Sequence, residues 1–156
     1  MALRKNKLRI IGRREFVDFP QLHLFSIEAK IDTGAYTSAI HCKDIEIKIA
    51  EGKEILCFKL LDDSHPEYSR QVHQFENYFR KNIKNSFGEM EERYVIKTKI
   101  RLGKKTILST VSLSDRENMR YPVLIGRRFL KGKFVVDANR IHTAGKIKIQ
   151  RKKKHK

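Results

Sequence analysis

"KIDTGAYTSAI", residues 30–40, is the stretch on which the fold turns. Asp32, Thr33 and Gly34 follow an apolar run. Glycine allows a backbone or a ligand to come close. Threonine can hydrogen-bond locally and brace a turn. The order suits a carboxylate displayed on a tight turn at the end of a strand. On its own the tripeptide suits a plain turn between two strands better, because Asp and Gly are common there.

A second element lies far down the chain. "YPVLIGRRFL" (121–130) puts apolar residues before Gly126, then a polar residue and a short helical pattern. That element is the companion of Asp-Thr-Gly in retropepsin-like aspartic proteases. The chain resembles the retropepsin-like family labelled ATP-dependent zinc proteases (RimB-type), associated with the ligase that adds glutamates to a ribosomal protein. The matching pieces are "IGRREFVDFPQL" (11–22), "AKIDTGAYTSAIH" (29–41), "ERYVIKTKIRLG" (92–103), "LSDRENMRYPVLIGRRFL" (113–130) and "FVVD" (134–137).

The resemblance implies a mainly β, closed acid-protease barrel with one short helix after the "LIGR" segment. It implies that Asp32, Thr33 and Gly34 are catalytic. One Asp-Thr-Gly per chain then requires a homodimer for a two-carboxylate site. Two close carboxylates share a proton, the charged one drawing a proton from water and the neutral one serving the carbonyl oxygen. Thr33 would brace the paired turns, and Gly34 would keep the site narrow.

The implied substrate is an acidic peptide or a polyglutamate-tailed protein. Ala35 and Tyr36, beside the motif, are expected to bind substrate, and Lys81, Lys84, Arg93 and Arg127 are candidate cations for substrate carboxylates. Arg127 has a competing reading, an ion pair with Asp115 or Glu117. Two positions depart from the family pattern: Tyr36 stands where Lys or Arg is usual, and Cys42 where a small residue is usual.

The family label names zinc and ATP, and the sequence supports neither. The six histidines (23, 41, 65, 73, 142 and 155) never fall in His-Glu-x-x-His spacing. His65 and His73 share a long loop and could meet there. No Gly-rich phosphate loop ending in Gly-Lys-Ser/Thr occurs. No cofactor is therefore expected.

Around the motif the chain reads mostly as strands. "DIEIKIA" (44–50) alternates, with Ile45, Ile47 and Ile49 on one face. "EILCFKLL" (54–61) follows a hairpin-like turn at Gly52. In 93–103, Tyr94, Ile96, Thr98, Ile100 and Leu102 share a face, and 104–114 is the partner across Gly103. "YPVLIG" (121–126) and "KFVVD" (133–137) read as strands buried on both faces, and "GRRFLKG" (126–132) as a short helix. Residues 62–92 lack a clean period and read as a long loop, either a lid or a surface excursion around Tyr68, Phe75, Tyr78 and Phe79.

At 156 residues and 40% hydrophobic content, one folded domain is expected. No apolar run reaches membrane-spanning length and no secretory leader is visible, so the reading is cytoplasmic. Cys42 and Cys57 read as reduced, buried thiols.

The net charge of +17 is unevenly placed. Residues 1–14 hold six Lys/Arg and no acid, and 126–156 hold twelve Lys/Arg and one acid. Of 35 bases and 18 acids in all, that leaves 17 of each for residues 15–125. The organisation read from this is a basic segment 1–10, a retropepsin-like domain 11–145 and a basic tail 146–156. The basic ends suit association with a ribosome, RNA or an acidic polypeptide. The tail's "KIKI" also alternates like a final strand. Three readings stand: an aspartic peptidase, an inactive protease-fold binding protein, and a basic ribosome- or RNA-associated factor.

Overall fold

A computed structural model describes residues 8–85, 87–115 and 120–145. Eleven strands and one short helix follow in chain order. β1 is Arg9–Ile11, β2 Arg14–Phe19, β3 Leu24–Ile31, β4 Ser38–Ala50 and β5 Lys53–Leu60. β6 is His73–Phe75, β7 Phe79–Lys84, β8 Met90–Leu102 and β9 Lys105–Ser114. β10 is Val123–Ile125, α1 is Arg127–Leu130 and β11 is Phe134–Val136.

The strands close on themselves. Hydrogen-bonded neighbours run β10, β3, β2, β8, β9, β4, and β4 pairs back to β10. That ring of six strands is a closed barrel. The barrel is filled by the faces that the sequence pattern selects. On β8, Ile96, Ile100 and Leu102 are fully buried and Thr98 nearly so. Ile96, Ile100 and Leu102 join Val17, Phe19, Ile27, Phe58 and Val111 in one apolar cluster. Leu102 pairs with Lys105 across a turn whose Gly103 has φ 62°, a conformation that glycine adopts without strain.

β4 serves two sheets. Its first part, Ser38–His41, lies buried in the barrel beside β9. A bulge between Lys43 and Glu46, with Asp44 at φ 53°, redirects the remainder to pair with β5 alone. Ile45 and Ile47 pack against the core, but Ile49 at the far end is 75% exposed.

Two expectations need correction. Residues 62–92 are not a plain loop, because they contain β6, β7 and the start of β8. β7 pairs with β8 from Phe79↔Val95 to Lys84↔Met90, forming a projecting hairpin arm. Tyr68, Phe75 and Tyr78 do pack on the core, but Phe79 is half exposed, with Lys97 Nζ 5.5 Å above its ring. Residues 133–137 are not buried on both faces: Val135 is 46% exposed. The reason is that β11 pairs only with β1, in a separate two-stranded parallel sheet that includes Arg9 and Ile10.

A buried carboxylate ties the segment before β2 to the segment after β11. Glu15 is fully buried and accepts hydrogen bonds from the backbone N–H groups of Gly12, Thr143 and Ala144 at 2.6, 2.9 and 3.0 Å. Cys42 and Cys57 are free and buried, and burial pushes the Cys42 thiol pKa up. Among the described residues no helix is long and apolar enough to cross a membrane.

Candidate active site

The site grows out of the place where β3 and β10 end side by side. These strands are parallel, with Ile31 opposite Ile125, so Asp32 and Gly126 leave the barrel together. The Asp32 N–H donates to the Ile125 carbonyl at 2.8 Å. The chain then turns back, with Ala35 N–H donating to the Asp32 carbonyl at 3.2 Å. Within the turn, Gly34 N–H donates to Asp32 Oδ1 at 3.0 Å. This fixes the carboxylate's orientation and leaves Oδ2 with no hydrogen-bond partner among the described residues.

The second turn locks onto the first. Arg127 N–H donates to the Ala35 carbonyl at 2.8 Å, and Arg128 N–H to the Tyr36 carbonyl at 3.0 Å. Gly126 N–H donates to Ser38 Oγ at 3.0 Å, and Ser112 Oγ donates to the Ser38 carbonyl at 3.3 Å. Gly126 has no room for a side chain: a Cβ there would lie 2.7 Å from the Tyr36 carbonyl oxygen and 2.9 Å from that of Ala35. The glycine permits the close approach on which the cross-bracing depends.

Asp32 borders an open cleft of about 920 Å³. One wall is the motif itself, with Lys30, Gly34, Ala35 and Thr37. The facing wall is the β7–β8 arm, through Ile83, Lys84, Asn85, Phe87, Glu91 and Arg93. The end of β9 and the approach to β10 close the floor with Ser112, Ser114, Asp115, Arg120 and Tyr121. Behind that floor, buried His41 meets the Ser114 carbonyl through Nδ1 at 3.2 Å and Asp62 Oδ2 through Nε2 at 2.6 Å.

The chain belongs to the RimB-like family of retropepsin-like aspartic endopeptidases. The family match covers residues 10–146. The chain is 38% identical over 132 residues to a Shewanella halifaxensis protein named "Probable alpha-L-glutamate ligase", covering 82% of this chain and 28% of that protein. A Desulfotalea psychrophila protein of the same name is 34% identical over 133 residues, covering 83% and 28%. The chain thus spans less than a third of the length of these curated relatives. Among solved structures, a Legionella pneumophila protein of unknown function (DUF785) matches with TM-score 0.68 and 26% identity. That match covers 88% of this chain and 99% of the Legionella protein.

Within this RimB-like frame, the residues singled out in the sequence separate into two groups. Asp32, Gly34, Ala35, Lys84 and Arg93 line one cleft. Arg93 is not a free cation there, because Glu91 holds its guanidinium at 2.6 Å. Thr33 and Tyr36 are exposed beside the cleft. Arg127 joins neither the cleft nor the acid pair that competed for it. Its Nη1 donates to the Thr33 carbonyl at 2.9 Å and its guanidinium lies 5.8 Å from the Tyr36 ring centre. Asp115 instead pairs with Lys43 at 3.8 Å, and Glu117 lies outside the described residues. Lys81 sits opposite Arg93 in the β7–β8 ladder, outside the cleft lining.

Lys30 and Arg120 are cleft cations that the sequence reading missed. The signal for Arg120 was the segment 113–130, which carried the family pattern without a role for each residue. Among the described residues no three His, Cys, Asp or Glu side chains gather to hold a metal. His65 and His73 do not form a pair: His65 Nδ1 accepts from Glu67 N–H, and the His73 ring stacks on Phe58 at 5.7 Å.

Proposed function

We propose that the chain is an active aspartic endopeptidase that works as a homodimer and cuts acidic or glutamate-rich polypeptides. The observation that carries this reading is the Asp32 carboxylate, held by Gly34 N–H on a turn braced against Gly126, at the edge of a cleft lined by Lys30, Lys84, Arg93 and Arg120. In the proposed dimer two Asp32 carboxylates face each other across a two-fold axis and share one proton. The ionised member takes a proton from water, whose oxygen attacks the scissile carbonyl carbon. The protonated member donates to the carbonyl oxygen, and the amine leaves with a proton returned from the pair.

The acidic preference rests on charge. Arg93 and Glu91 hold each other, which leaves Lys30, Lys84 and Arg120 as cleft cations against Asp32 and Asp115. Arginine and lysine at such a site favour carboxylate side chains. Relatives named as glutamate ligases carry a stretch similar to this chain, which supports a glutamate-rich substrate. The basic ends at 1–7 and 146–156 lie outside the described residues, and they would supply long-range attraction to an acidic substrate or a ribosome.

The test is to incubate wild type and Asp32→Asn with poly-α-glutamate and with a mixed peptide library. Wild type should yield fragments from both, and the variant from neither. Equal cleavage by Asp32→Asn would remove Asp32 from the chemistry. Cleavage of the library without polyglutamate would keep the peptidase and discard the acidic preference.

A further inference from the structure

We propose that the free edge of β9 is a second peptide-binding site, where an acidic segment adds as an extended strand. β9 pairs with β8 over its whole length, but with β4 only from Val111 to Ser114. Among the described residues, Lys105–Thr110 therefore has an unpaired side. An unpaired strand edge offers a row of backbone N–H and C=O groups to another chain.

The side chains around this edge have one sign. A groove of about 190 Å³ runs beside it, lined by Ile107, Leu108, Ser109 and Thr110 and by Lys97, Arg128, Phe129 and Lys133. Three of those residues are cations and none is an acid. Among the described residues none of the three cations enters an ion pair with an acid. Leu108 is 61% exposed at the centre, an apolar contact for alternate residues of an incoming strand.

Proteins often protect strand edges with charge, and that alternative fits poorly here. Within Lys105–Thr110 the one charged residue is Lys105 at the strand's start, with its Nζ 5.9 Å from the Phe134 ring centre, and Thr106–Thr110 carries none. Arg128 comes from α1 and Lys133 from the turn after it, so the cations converge from separate elements. Nucleic acid fits less well than peptide. Base binding uses exposed rings for stacking, and the groove's one ring, Phe129, is buried. The site is distinct from the Asp32 cleft, with which it shares no lining residue. Its occupancy does not depend on the chemistry at Asp32.

The test uses the full chain carrying Asp32→Asn and a short fluorescein-labelled peptide alternating Glu and Val. Lys97→Gln, Arg128→Gln and Lys133→Gln together should weaken binding at least tenfold with an unchanged melting temperature. Backbone amides in 105–110 should gain hydrogen-exchange protection when the peptide binds. Undiminished binding by the triple variant, or protection confined to residues 83–93, would overturn the proposal. So would preference of the groove for a single-stranded RNA over the peptide. Tighter peptide binding after deletion of 146–156 would assign the edge to the chain's own tail, and would equally overturn it.

Discussion

Gly126→Ala isolates the contact on which the site is built. The added methyl would sit 2.7 Å from the Tyr36 carbonyl oxygen and 2.9 Å from both the Ala35 oxygen and the Thr37 carbonyl carbon. All three atoms are backbone, so no side chain can rotate away. Overpacking of this kind costs ~1–3 kcal/mol. Separating the turns also stretches the bonds from Arg127 and Arg128 N–H, at 2.8 and 3.0 Å, each contributing ~1 kcal/mol. With those two bonds weakened rather than broken, the total is about 2–4 kcal/mol, a large part of a typical domain's stability. For a chain of this size the melting temperature should fall by roughly 5–15 °C. Gly34→Ala is the control. A Cβ there meets only Asp32 Oδ1, at 3.3 Å. It should lower the melting temperature by no more than a few degrees, yet reduce peptide hydrolysis because it disturbs the carboxylate directly. Scanning calorimetry of both variants decides the matter. A Gly126→Ala protein melting with wild type would refute the close-packed turn pair.

Two further outcomes follow from particular contacts and a third from the charge of the tail. Glu15→Gln turns one acceptor oxygen into a donor facing a backbone N–H, and should cost about 1.5–3 kcal/mol in denaturant unfolding. Wild-type stability would show that the three N–H bonds contribute little. The Ser64 hydroxyl and N–H, then His41, hold the Asp62 carboxyl at about 2, below its ordinary 3.8. The folded state therefore binds fewer protons than the unfolded state in that window, and the stabilisation is full above the ordinary value and drains away as pH falls through about 2. Asp62→Asn should flatten the loss of melting temperature between these pH values, and an unchanged acid limb would contradict this. Deleting 146–156 should leave hydrolysis of a short neutral peptide unchanged and weaken engagement of a long acidic substrate. A melting temperature several degrees lower would make the segment structural instead.

The barrel was legible where one face of a strand is buried and the other is not. β8 shows this, since its alternation through Ile96, Thr98 and Ile100 matches the buried face residue by residue. β7 was not legible, because "FRKNIK" stands away from the barrel with neither face buried deeply. Without a buried face no alternation is imposed on the sequence. β11 misled for the opposite reason. "FVV" is apolar throughout, yet Val135 is exposed in a two-stranded sheet. The motif's partner, Gly126, was legible through the family resemblance, and backbone crowding is the physical reason a glycine stands there. Lys30 and Arg120 could not, since a surface cation leaves no spacing signature, and only the fold shows which ones border the same cleft.

The proposed pairing of two Asp32 carboxylates can be measured by mixing. Wild type and Asp32→Asn, exchanged to equilibrium at constant total protein above the dimer dissociation constant, would distribute among three dimers. If each site needs one carboxylate from each chain, peptidase activity should follow the square of the wild-type fraction, falling to about one quarter in an equal mixture. Activity that falls in simple proportion, to about one half, would mean that each chain works alone and would contradict the shared site.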